Sequence, residues 1–385
     1  QDQLVRLTDY LSGNTTEYTY DLMGRLLTET RDDNDNSRDY ILTYTYTPRN
    51  IDTISLKVYN PTTQSYEEKQ YQDYEYDSLS RLSSLTYKAS QSETTSAAVN
   101  YTYNNNNQLA EKIISQNGNS VKTKYTYNNA GLVKAIQQQS QIGSGTYTDV
   151  WNESYSYTLD GNLYEKVDSM NHKTEYGYDS IGRLATERYS EGDTAVWSAS
   201  YSFDDFDNRT TKVYNDLVSS TQTTTQYAYD LANRLTGETV SGSEGYAYTY
   251  NYDDSGNLLS KVKNQNNTET VEIQNTYDAF NRMVQTAISS SGNVTYRYDS
   301  SGHRISKTSA GVVTNHIWDG DNIISDLTAN KPVQNYIYGA SGIEAIALSG
   351  TGGQHTVSAY LKNAHGDVVG VRSLGNTGNF EYKYD

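Results

Sequence analysis

An aspartate recurs along this chain with an arginine four residues behind it: Asp21 and Arg25, Asp77 and Arg81, Asp179 and Arg183, Asp230 and Arg234, Asp278 and Arg282. Asp253 and Asp299 hold the same place without the arginine, and His303 stands in its position after Asp299. Carboxylates can serve as general acids and bases, but that work calls for two of them facing one another across a substrate. Here one carboxylate recurs per segment, which suits a turn former better than a catalyst. Each arginine could pair with a carboxylate or stack on a neighbouring ring. The five histidines, His172, His303, His316, His355 and His365, are scattered, with no Ser-x-x-Lys, Gly-x-Ser-x-Gly or His-Glu-x-x-His spacing around them. The absence of cysteine excludes thiol catalysis, disulfides and cysteine-held metal. Two acidic runs invite calcium, Arg31-Asp32-Asp33-Asn34-Asp35-Asn36 and Asp319-Gly320-Asp321-Asn322. Both are incomplete as EF-hand loops, the first lacking the glycine and the distal glutamate, so both read as solvated loops. These patterns assign no catalytic residue, no metal and no cofactor.

The elements that carry these residues are repeats. The full motif, Tyr-x-Tyr-Asp-x-x-Gly-Arg-Leu, stands at Tyr18, Tyr20, Asp21, Gly24 and Arg25, and again at Tyr176, Tyr178, Asp179, Gly182 and Arg183. Variants keep Tyr74, Tyr76, Asp77 and Arg81; Tyr227, Tyr229, Asp230 and Arg234; and Tyr250, Tyr252, Asp253 and Gly256. Others keep Tyr277, Asp278 and Arg282, or Tyr298, Asp299 and Gly302. Taking the second aromatic as an anchor, the series runs from Tyr20 through Phe203, Trp318, Tyr338 and Tyr360 to Tyr384, at intervals of about 24 residues. Tyr44-Thr45-Tyr46 is followed by Thr47-Pro48, and Asn128 to Leu132 has lost the arginine, yet the register recovers each time.

The local physics of one unit predicts a β-hairpin. Tyr-x-Tyr alternates at period two and is rich in strand formers. Asp-x-x-Gly makes a turn, because the carboxylate can bond nearby backbone N–H groups and glycine accepts positive φ. The residues after the motif leucine form the return strand. Segments 32–36, 137–145 and 264–268 read as polar loops, and Gln138, outside the motif, is expected to tolerate replacement. About 32 strands at about 4.8 Å each make a ribbon on the order of 150 Å long, too wide to close on a filled interior. A wall around space is the expected product.

Composition agrees after one correction. A net charge of −17 with 35% hydrophobic residues is close to a disordered profile, but 39 periodic tyrosines supply rings to bury, so tyrosine is expected to be the main core residue. The acidic balance argues against nucleic acid, and no apolar run is long enough to span a membrane as a helix. Aromatic rows beside Asn, Asp and Arg could also stack on sugars, so cell-surface glycans are a second partner class.

These motifs resemble those of the rearrangement-hotspot (Rhs) and YD-repeat proteins over almost the whole chain. The resemblance implies an all-β fold, with tandem hairpins forming a long antiparallel sheet that spirals into part of a hollow shell. It implies one repeat array over residues 1–385, with divergent repeats over 310–385. The stretches Asn335 to Gly339 and Tyr360 to Gly370 resemble the segment upstream of the Rhs-associated core, and the chain is expected to be a fragment of a longer protein. In bacterial toxin relatives such shells enclose a C-terminal toxic domain. In teneurins and wall-associated proteins they belong to large extracellular proteins. The implied role is therefore a non-catalytic, secreted or cell-surface container for the protein's own effector domain, with an adhesion or carbohydrate-binding module as the alternative. Far-UV circular dichroism should report less than about a tenth helix, against about a third in ordinary domains.

Overall fold

The structure is a computed structural model that describes residues 3–9, 13–34, 38–242, 245–328, 333–349, 355–375 and 379–381. Among them there is no helix; 32 strands follow one another along the chain. Strands pair antiparallel with their sequence neighbours, as in β2 (Thr15–Tyr20) with β3 (Leu26–Asp32) and β14 (His172–Tyr178) with β15 (Leu184–Glu191). The motif hairpins share one construction. The second aromatic pairs with the residue after the arginine position, Tyr20 with Leu26 and Tyr178 with Leu184, and a register shift falls just before it. This bulge lets a five-residue loop close the hairpin.

The chain divides into two units. One comprises residues 1–126, 136–150 and 313–385; the other comprises 127–135 and 151–312. In the first unit, the layer β4 (Tyr40–Tyr46) to β10 (Asn119–Tyr127) faces the layer β26 (Val312–Asp319) to β31 (Val368–Ser373). Leu85, Val99 and Ile114 of the first layer pack with Ile337, Ala345 and Val357 of the second. A second cluster joins Leu42, Ile54 and Leu56 to Ile317 and Ile324. The core of this unit is therefore mainly aliphatic, contrary to the tyrosine core expected from composition. Two facing sheets need side chains that interdigitate within about 10 Å, which branched aliphatics and alanines do; the motif tyrosines sit beside the turns and are mostly half-buried. The second unit runs from β12 (Thr148–Tyr157) to β25 (Arg304–Ser309), with mostly half-buried side chains and few fully buried ones, such as Ala199 and Val294.

Several loop expectations are corrected. Residues 137–141 belong to β11 (Val133–Gln141), and Gln138 is wholly buried, between Ile136 and Ser140 on the same strand face. Residues 264–265 end β21 (Leu258–Gln265), leaving only Asn266 and Asn267, both at positive φ, as a two-residue turn. Asp32 closes β3, while Asp35, Asn36 and Tyr384 lie outside the described residues. The anchor at Tyr360 is two residues early. Asn363 takes the aspartate's place in that turn, accepting from the backbone N–H groups of His365 and Asp367, so Lys362 holds the second-aromatic position. The turns of β26/β27 and β28/β29 are shorter, with Gly320-Asp321 and Ala340-Ser341 between paired residues.

In the five-residue loops the fourth position has positive φ: Gly24 and Gly182 where the motif is complete, Ser80, Asp207 and Asn281 where it is not. A Cβ added at Gly182 would find its nearest neighbour, Asn162, 4.0 Å away, so only backbone strain opposes it. Gly182→Ala should therefore lower the local stability of β14/β15 by about 1 kcal/mol, read by native-state hydrogen exchange. A neutral result would mean that the loop does not hold this conformation in solution.

Candidate functional site

The motif builds a turn that is closed on itself and then tied to the next. In Asp179 to Arg183, Oδ1 of Asp179 accepts from the backbone N–H groups of Ile181 (3.0 Å) and Arg183 (2.9 Å). Its Oδ2 accepts from Nε of Arg183 at 2.7 Å. Asp21 with Arg25, Asp77 with Arg81, Asp230 with Arg234 and Asp278 with Arg282 repeat the same three bonds. One carboxylate thus satisfies two loop N–H groups and one guanidinium edge. These bonds hold Asp179 below the ordinary carboxylate value, the Arg183 guanidinium contributing most; at Asp77 and Asp230 the backbone N–H of the arginine comes first.

The rest of the guanidinium reaches forward one repeat. Arg183 donates to the carbonyl of Asp204 (3.2 Å) and to Oδ1 of Asp207 (2.7 Å), with its Cζ 4.7 Å from the Phe203 ring centre. Arg25 lies 4.3 Å over Tyr46 and bonds the Thr47 carbonyl, and Arg234 and Arg282 do likewise with Tyr252 and Asp253, and with Tyr298 and Asp299. The ring under the guanidinium closes the link in the other direction. Where that ring is a tyrosine, its hydroxyl donates to a backbone carbonyl of the preceding repeat: Tyr46 to Leu26, Tyr252 to Leu235 and Tyr298 to Met283; Tyr178 and Tyr277, which follow turns without the arginine, bond Leu163 and Leu258 alike. Tyr20 bonds Leu4 and Tyr229 bonds Arg209 in the same way. First tyrosines differ: Tyr250 donates to Glu238 at 2.7 Å, and Tyr74 to Gln72 at 3.1 Å. Tyr18, Tyr76, Tyr176 and Tyr227 are half-buried on the same strand faces, burial holding Tyr76, Tyr176 and Tyr227 above the ordinary tyrosine value. Gly24, Gly256 and Gly302 supply the positive-φ corner of their loops.

Degenerate turns keep the bonds and change the residue. Thr47 and Asn128 accept the loop N–H groups in place of aspartate, and Asp253 engages the Asn257 amide instead of a guanidinium. Two histidines are also stand-ins: His172 bonds Asp168 at 2.9 Å, and His303 lies 3.7 Å from Asp299. His365 sits in the Asn363 loop, and His316 bonds Asp326 at 2.6 Å within a hairpin. The calcium candidates are otherwise engaged. Asp33 is buried between Arg31 (2.9 Å) and Arg38 (2.6 Å), which corrects the solvated-loop expectation, and half-buried Asp319 accepts from the Tyr44 hydroxyl at 2.8 Å. In the second unit the rings of Tyr189 and Trp197 stack on each other at 5.8 Å and 19°.

Sequence reasoning missed the polar cluster inside the first unit. Lys112 Nζ lies 2.6 Å from Glu344 Oε2, both side chains fully buried. Glu344 also accepts from the Tyr101 hydroxyl (3.0 Å) and from the Ser341 N–H (2.9 Å) and hydroxyl (2.8 Å). Burial alone would neutralise both charges, but each holds the other ionised: Lys112 is raised above and Glu344 lowered below its ordinary value. Asn335 adds bonds to the Tyr87 hydroxyl and the Lys69 carbonyl, and Gln116 to the backbone of His355 and Val357. A lone lysine at 112 and a lone glutamate at 344, far apart in the sequence, do not announce one another; only pairing information between distant strands would have found them.

The family model described as teneurin YD-shell matches residues 162–385, and that described as RHS repeat matches residues 1–37. The tRNA3(Ser)-specific nuclease WapA of Bacillus spizizenii is 28% identical over 278 residues, covering 70% of this chain and 10% of that protein. The tRNA nuclease WapA of Bacillus subtilis matches to the same extent. This chain therefore spans about a tenth of the length of the curated relatives it matches. A crystal structure of a TcdB2–TccC3–Cdc42 assembly aligns over 94% of this chain and 23% of its own, with 11% identity and a TM-score of 0.48. With repeats stapled turn to turn and the shell model spanning more than half of its residues, the chain belongs to the teneurin YD-shell family.

Proposed function

We propose that this stretch is a wall segment that encapsulates or presents an effector domain carried elsewhere in the same polypeptide, in a secreted or cell-surface bacterial protein. The observation that carries the reading is the staple. Each arginine spends its donors on its own turn and on the next, and where the ring beneath it is a tyrosine that ring bonds back, as Tyr252 does under Arg234, so the motif's polar groups are consumed in joining repeats. Residues engaged in this way hold a sheet together and are not free for acid–base work. The relatives named as tRNA nucleases are about ten times longer than this match, so we assign any such chemistry to the remainder of the polypeptide and none to this segment. The partner is then the protein's own effector, whose identity the wall does not encode.

Two measurements test this. In the full-length protein, an internal effector should resist added protease until the wall is opened, and replacing Arg183 and Arg234 by lysine should shorten that protection. Lysine keeps the charge but loses the planar fork that reaches both turns. Equal digestion with the wall intact would overturn the reading, as would turnover by this segment alone that one histidine or carboxylate substitution abolishes.

The wall should also weaken in acid. Asp179 and Asp230 titrate below their ordinary 3.8 when folded, so their contribution is present above that value and is lost as pH falls through the lowered one. Protection against hydrogen exchange at the motif loops, relative to the unfolded chain at the same pH, should therefore fall below about pH 4, and Asp179→Asn should flatten the dependence at its own turn. Unchanged protection down to pH 2 would contradict it.

A further inference from the structure

The two residues between aspartate and glycine point into solvent at the tip of each loop. In four turns of the second unit, each two strands after the last, one of them is large and apolar: Leu159, Ile181, Phe206 and Leu231, with Leu159 and Leu231 fully exposed. The turn itself does not ask for this. Its bonds use only the backbone of these positions, and the equivalent tips are polar at Asp254-Ser255 and Ser300-Ser301, although Leu22, Met23, Leu79 and Phe280 are also apolar and exposed. Exposed apolar groups in a periodic row mark an interaction edge more often than isolated ones do.

Spacing and charge specify the partner. Successive tips are two strands apart, about 9.6 Å, so four span about 29 Å. An α-helix repeats a face every seven residues, about 10.5 Å, so about 21 residues of helix match the row. A strand reaches that distance in three residues, which turns alternate side chains away. The four loops, residues 158–162, 179–183, 204–208 and 230–234, hold six aspartates against two arginines, a net charge of −4. Both arginines are already paired, Arg183 with Asp179 and Asp207 and Arg234 with Asp230. Like charge disfavours a second copy of the same edge or an anionic membrane.

We propose that this edge docks a cationic amphipathic helix presenting one apolar residue per heptad to Leu159, Ile181, Phe206 and Leu231. The inference is independent of what the wall encloses.

The test uses the whole chain and a synthetic helix of about 21 residues with leucine at one heptad position and lysine flanking it. Fluorescence anisotropy should report binding that weakens at least tenfold when the four tips are changed together by Leu159→Ser, Ile181→Ser, Phe206→Ser and Leu231→Ser. Circular dichroism checks that this variant keeps its fold. Asp160→Asn with Asp205→Asn, which leaves the four apolar side chains intact, should weaken binding several-fold and reduce its salt dependence. Equal affinity of the serine variant, or of a peptide with glutamate in place of lysine, would overturn the proposal. So would concentration-dependent dimers or binding to phosphatidylcholine vesicles that the serine variant abolishes, since the occupant would then be a second copy or a lipid surface.

Discussion

Everything in this protein depends on how one carboxylate is shared. A hairpin loop of five residues leaves N–H groups that its own strands cannot satisfy, and the motif aspartate takes two of them on one oxygen. That leaves its second oxygen for a guanidinium, and a guanidinium so anchored has a fixed direction. The arginine can then reach the neighbouring turn at a defined place, over a ring whose hydroxyl returns the bond. Individually these contacts are worth little at a surface. Repeated in phase they set the distance between hairpins, which is the quantity a wall has to control.

The two units solve burial differently. The second relies on nearest-neighbour pairing and half-buried rings, so its stability is close to a sum over repeats and their interfaces. The first adds a facing layer and with it a true interior. Facing layers could slide by a residue, and an aliphatic seam alone discriminates registers weakly. The Lys112–Glu344 pair discriminates them strongly, because a misplaced layer would leave a buried charge alone. Asn335 and Gln116 act in the same sense with neutral groups.

The hairpins were legible in the sequence because their information is local. Asp179 to Arg183 contains the whole turn within five residues, and period-two tyrosines name the strand before it. Where the reading slipped, a substitute was doing the work: Asn363 caps as aspartate does, and moved the anchor from Tyr360 to Lys362. Gln138 was misread because glutamines at 137–139 suggest a loop, although Ile136, Gln138 and Ser140 share one face and the parity of Ile136 pointed inward. The stacked layers were not legible at all. Alternating aliphatics such as Leu42, Leu56 and Leu85 announce a face to be covered, but nothing local says by what.

That stacking has a kinetic side. Tyr101 and Glu344, which meet in the first unit, are 243 residues apart in sequence, and the second unit lies between them in the chain. At translation rates of about 5–20 residues per second, the earlier layer waits on the order of ten to fifty seconds for its cover. During that interval Leu85, Val99 and Ile114 form an apolar sheet face with no partner, the kind of surface that aggregates or recruits a chaperone. A chain ordered in this way is best kept unfolded until it is complete, so its synthesis and its folding are naturally separated in time.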